Sequence, residues 1–114
     1  MDDRLQHIAH TLGYESQSRQ CIEEMSELIQ AINKHWRKTK CDRREDVEYC
    51  QWNEKDGNIL CRKCFGCEEY NSLIEEIADV QIMIEQMKIL LKCESEVYVM
   101  MEEKINRQIG RIIE

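Results

Sequence analysis

Two short acidic clusters, each set inside an apolar, helix-forming stretch, constrain this chain more than any other feature. The first is Glu23-Glu24-Met25-Ser26-Glu27 and the second is Glu75-Glu76-Ile77-Ala78-Asp79. Residues three apart on a helix lie one turn above each other on the same face. Glu24 therefore points with Glu27, and Glu76 with Asp79. The apolar neighbours require each helix to bury a face. If the two helices oppose each other, four carboxylates converge. Like charges held together away from bulk water repel, so such a cluster must take up protons or hold a cation. All-oxygen ligation suits Mg²⁺, or Mn²⁺, rather than a soft metal.

The rest of the chain supports helices. It has no Pro and four Gly, and is rich in good helix formers. Asp3–Leu12 reads as a short helix and Gly13 as a break. A long helix fits Glu15 to about Arg37, with an apolar stripe of Ile22, Met25, Ile29, Ile32 and Trp36 widened by Leu28 and Ala31. Ser72-Leu73-Ile74-Glu75 has the form of a capping box and predicts the start of a helix running to about Lys92. That helix is apolar on most sides, which predicts a central position. A last helix fits Glu96–Ile113, with Ser95 as N-cap and Val97, Met101, Ile105, Ile109 and Ile112 as its stripe. A single bent helix through both of the last segments is the alternative. The expected architecture is all-α, a bundle of about four helices in one domain over residues 1–114.

Residues 39–70 read differently: polar, without helical period, and holding five of the seven Cys. They form a Cys-rich insertion between the two acidic-motif helices. Cys61, Cys64 and Cys67 stand at two-residue gaps, with Cys50 and Cys41 upstream. Cys50, Cys61, Cys64 and Cys67 are the preferred tetrahedral set for a structural Zn²⁺. The Cys-x-x-Cys-x-x-Cys run also resembles iron–sulfur ligation, although no fourth Cys-Pro is near. A loop of free thiols is the third reading. Cys21 and Cys93 fall within helices and read as small core residues.

Charge narrows the partners. The formal net charge is −7, which argues against a nucleic-acid polymer or an anionic membrane. A small phosphate ester held through metal ions stays compatible. The longest apolar stretch, near Ile77–Leu91, is interrupted by Asp79, Glu85 and Lys88 and is no membrane span. Met1-Asp2-Asp3-Arg4 is acidic with no apolar run behind it, so no export signal is expected. With an odd number of Cys, that predicts a reduced, cytoplasmic setting. The modest core of a chain this size suggests that another subunit completes the apolar stripes.

Glu23-Glu24-Met25-Ser26-Glu27-Leu28-Ile29-Gln30-Ala31-Ile32-Asn33-Lys34, together with Glu75-Glu76-Ile77-Ala78-Asp79-Val80, resembles the paired motifs of the MazG-like nucleoside triphosphate pyrophosphohydrolases. The likeness spans about residues 17–38 and 72–91, and the insertion is longer than the family's usual connection. The resemblance implies an all-α enzyme that uses Mg²⁺ to cleave a nucleoside triphosphate between the α and β phosphates, giving monophosphate and pyrophosphate. It implies a homo-oligomer, dimer or tetramer, and a role in removing unwanted nucleotides. By position, Glu24, Glu27, Glu76 and Asp79 become metal ligands and catalytic residues, with Glu23 and Glu75 behind them. Lys34 reaches toward phosphate, and Lys104 and Arg107 match the family's C-terminal basic positions loosely. Gln17 and Gln20 are further candidates for substrate contact. A different class of function fits the same residues: a non-catalytic, metal-binding helical module for oligomerisation or protein interaction.

Overall fold

Helix-forming composition carries through to the structure, a computed structural model that describes residues 2–40 and 68–113. These residues form three helices and no strand. Helix α1 spans Asp3–Thr39, α2 spans Glu68–Leu91 and α3 spans Glu94–Ile113. The described residues are all-helical as expected, in three helices where about four were expected. The two anticipated N-terminal helices run on as α1, kinked at Gly13. Its φ of 84° and ψ of 167° are non-helical and belong to a region open only to glycine, so the helical path is interrupted at Gly13, where the sequence predicts a break. Cys41, Cys50, Cys61, Cys64 and Cys67, and with them the zinc reading, lie outside the described residues.

The helix ends have local causes. Asp2 caps α1: Arg4 N–H donates to its Oδ1 at 2.9 Å and Leu5 N–H to its carbonyl at 3.1 Å. The Arg4 side chain closes on the same carboxylate and holds its pKa down at about 2. At the far end, Lys40 adopts φ 48° and its N–H reaches the carbonyl of Trp36 at 2.7 Å, a left-handed cap. Helix α2 starts four residues before the expected box, so Ser72 lies inside it. Glu68 and Glu69 occupy its first turn instead, where the helix dipole favours acids.

The turn between α2 and α3 excludes the single bent helix. Lys92 has φ 53°, its N–H bonds to the carbonyl of Ile89 at 3.2 Å, and Cys93 N–H bonds to that of Lys88 at 3.1 Å. This is a Schellman cap with a lysine where glycine is usual. Cys93, not Ser95, then stands at the N-cap of α3, its carbonyl accepting from Val97 N–H at 2.9 Å. A side chain in the left-handed region costs roughly 1–2 kcal/mol, part of which glycine returns through its freer unfolded state. Lys92→Gly is therefore expected to stabilise the protein by roughly 0.5–1 kcal/mol, read as a higher urea midpoint at unchanged slope. A lower midpoint would refute the strain.

The chain divides into two compact units, one of residues 1–20 with 82–114 and one of residues 21–81. In the first, Ala9, Gln17, Met83, Gln86 and Ile89 are buried. Gln17 Nε2 donates to Gln86 Oε1 at 2.6 Å. In the second, Cys21, Ala31, His35, Thr39 and Val80 are buried, and His35 and Tyr70 meet as tilted rings with centroids 6.1 Å apart.

The inward seam of α1 departs from the expected stripe. Gln17, Cys21, Glu24, Leu28, Ala31 and His35 are buried or half-buried, at spacings of four, three, four, three and four. Ile22, Met25, Ile29, Ile32 and Trp36 lie one residue further round the helix and are exposed. Ile74, Ile77, Ile82 and Ile84 of α2 are also exposed, so the described residues do not enclose α2 on most sides as its composition suggested. Small and polar side chains occupy the seam, which lets Glu24 turn inward.

Candidate metal centre

Three of the four expected carboxylates come together. Glu24 and Glu27 project from α1 and Glu76 from α2, and each offers an oxygen within 4.8 Å of the others. Their placement follows from the seam. Glu24 and Glu76 occupy half-buried positions on their helices, and Glu27, one turn on from Glu24, stays exposed at the edge. The Oε2 atoms of Glu24 and Glu76 are both shielded from solvent. That of Glu76 has no hydrogen-bond partner among the described residues, a costly state for an ionised oxygen. The Glu27 carboxyl is pushed above the ordinary glutamate range. The main cause is the neighbouring Glu24 charge, followed by partial desolvation, then by the charge of Glu76 and a side-chain hydrogen bond with it.

Asp79 does not belong to the cluster. It lies three residues past Glu76 on α2 and is exposed. Glu23 and Glu75 are exposed as well. Lys34 is exposed further along α1 and lines a pocket of about 360 Å³ with Glu27, Gln30, Ala31, Glu68, Glu69, Ser72 and Glu76. Glu27 and Glu76 thus belong to both pocket and cluster. Glu68, Glu69 and Ser72 were missed as site residues because the polar, aperiodic stretch before them set the expected insertion boundary too late. Two acids in a first helical turn were the signal that could have placed them. Lys104 and Arg107 are exposed on α3. Gln17 is not free for substrate, because its amide is buried against Gln86.

No protein-family model, no curated protein and no solved structure matches this chain. No helix among the described residues is long and apolar enough to cross a membrane.

The donor set fits a hard divalent ion. It is all oxygen, from three carboxylates on two helices, and includes a shielded oxygen on Glu76 that a cation would satisfy. Three carboxylates leave positions for water and phosphate oxygens, as Mg²⁺ prefers.

Proposed function

We propose that this protein is a Mg²⁺-dependent nucleoside triphosphate pyrophosphohydrolase of the MazG-like kind, working as a homo-oligomer. The observation that carries the reading is the meeting of Glu24, Glu27 and Glu76 from two motifs 49 residues apart, counting from Glu27 to Glu76. The motif resemblance and the pocket beside the cluster add to it.

Glu24, Glu27 and Glu76 hold the ion. Asp79, about 4.5 Å along the helix axis from Glu76, stands outside this set and lines its approach. When bound, the ion neutralises charge developing on the phosphates and lowers the pKa of bound water. The chain's own residues do the rest. Glu27 and Glu76, on the pocket wall, orient the triphosphate through the shared site. Lys34 supplies the one positive charge among the described pocket residues and steadies the leaving pyrophosphate. A carboxylate not engaged with metal accepts the proton of the attacking water. The acids of the pocket, Glu27, Glu68, Glu69 and Glu76, disfavour a bare triphosphate, which would need its charge neutralised to bind.

The test is a screen of pyrophosphate release over canonical and modified nucleoside triphosphates, with Mg²⁺ and with EDTA. Metal-dependent release together with monophosphate is the expected result. No release from any triphosphate by folded, metal-loaded protein would overturn the reading. It would favour the non-catalytic helical module, which draws its support from the apolar surface left open on α1 and α3.

A further inference from the structure

His35 is a buried titratable side chain that the site described above does not use. It is 8% exposed. Its ring meets that of Tyr70, which is half-buried in the first turn of α2, with centroids 6.1 Å apart and planes at 46°. Tilted rings at this separation attract each other beyond the area they bury. Neither residue is among the described residues lining the pocket. What the pair supplies is a contact between α1 and α2.

The neighbours of the pair give that contact a use. Lys34 precedes His35 and Glu69 precedes Tyr70, and both Lys34 and Glu69 line the pocket. Consecutive residues of a helix stand about 100° apart round its axis. Each helix therefore turns one residue to the pocket and the next to the ring contact. Glu27 meets Glu76 and His35 meets Tyr70, so the two helices run antiparallel along the pocket. Glu27 and His35 are eight residues apart, about 12 Å of helix. The two ends of the pocket are thus held differently. At one end carboxylates gather, and they repel each other when no cation is bound. At the other end the rings attract. The ring contact fixes where Lys34 stands against α2, and it does so well away from the carboxylates that hold the ion.

We infer that His35 and Tyr70 are positioning residues, whose ring contact clasps α1 to α2 behind the pocket and sets Lys34 in place for the phosphates. The inference rests on the reading of the pocket as a triphosphate site. Both residues act through Lys34 and not through the ion. Without the clasp, Lys34 is spread over positions of which few meet a phosphate, and a misplacement of about 1 Å is enough to cost a positioned group most of its effect.

Calorimetric titration with magnesium pyrophosphate reads the placement of Lys34 without any turnover. His35→Ala and Tyr70→Ala are each expected to weaken binding about 10-fold, with helical circular dichroism retained. Tyr70 is half-buried, so its truncation is the milder of the two for the fold. Mg²⁺ affinity without pyrophosphate should stay unchanged in both. Tyr70→Phe keeps the ring and should bind as the original does. Lys34→Met removes the positioned group, so adding His35→Ala to it should cost nothing further. A contact that serves the fold alone would give the same loss with or without Lys34. Undiminished binding in both alanine variants, or a His35→Ala loss that persists on Lys34→Met, would overturn the inference and leave the triphosphate reading standing. An original chain that binds no magnesium pyrophosphate would overturn that reading, and the inference with it.

Discussion

Glu24→Gln and Glu27→Gln are each expected to remove metal-dependent pyrophosphate release, by roughly two to three orders of magnitude, while the helices persist. A ligand to the ion is lost in each case, and the ion's stabilisation of developing charge amounts to several kcal/mol. The metal-free variants should also melt higher than the metal-free original. The cluster raises the Glu27 pKa through Glu24, through partial desolvation and through Glu76, so an amide at either position relieves repulsion. The sign with pH follows. A carboxyl whose folded pKa is raised binds its proton more tightly folded than unfolded. The metal-free protein is therefore penalised above the raised value, and the penalty fades as pH falls toward the unperturbed 4.5. Mg²⁺ at neutral pH should raise the melting temperature of the original and leave Glu27→Gln nearly unmoved. Equal shifts in both, or undiminished turnover in both variants, would remove these residues from the metal site.

How much of this site was legible depends on which force wrote each part. The carboxylate spacing was legible, because i, i+3 geometry on a helix is fixed by the backbone. The buried seam of α1 was not. Ile22, Met25, Ile29, Ile32 and Trp36 make the stronger apolar signal, but the inward line is one residue away, through Gln17, Cys21, Glu24, Leu28, Ala31 and His35. Periodicity reports that a helix has a preferred face; it does not say whether its own chain or another copy covers that face. The same ambiguity applies to α3, where Met101, Ile105, Ile109 and Ile112 of the expected stripe are exposed and Val97 is half-buried. Asp79 was placed by motif logic, yet its outward position follows from the seam of α2 passing through Glu76 and Val80. Helix boundaries failed where several caps competed. Ser72 and Ser95 are good N-caps in isolation, but first-turn acids at Glu68 and a lysine able to take the left-handed position at Lys92 set the ends elsewhere.

Gln86→Ala should be among the most damaging single changes in the protein. Gln86 is the largest fully buried side chain among the described residues, 2% exposed, and its Oε1 accepts from Gln17 Nε2 at 2.6 Å. Gln17, 5% exposed, takes a further bond from Ser16 Oγ at 3.2 Å, and Gln86 Nε2 faces Met83 Sδ at 3.7 Å. Truncation leaves the Gln17 amide buried without its acceptor, at about 1–3 kcal/mol, and opens a cavity besides. A total loss of about 2–4 kcal/mol is expected, a large part of the roughly 5–15 kcal/mol that holds a domain folded. Gln86→Met isolates the polar component, because methionine nearly matches glutamine in shape. It should cost about 1–3 kcal/mol alone. The pair Gln17→Met with Gln86→Met should cost less than Gln86→Met alone, since no buried amide is then stranded. Denaturation of the four combinations closes the cycle. Additive losses would mean that the two amides do not depend on each other. A strong coupling would show why two glutamines persist in the unit's interior: the pair bonds at one alignment of α1 and α2, and sliding either helix by a turn strands both amides.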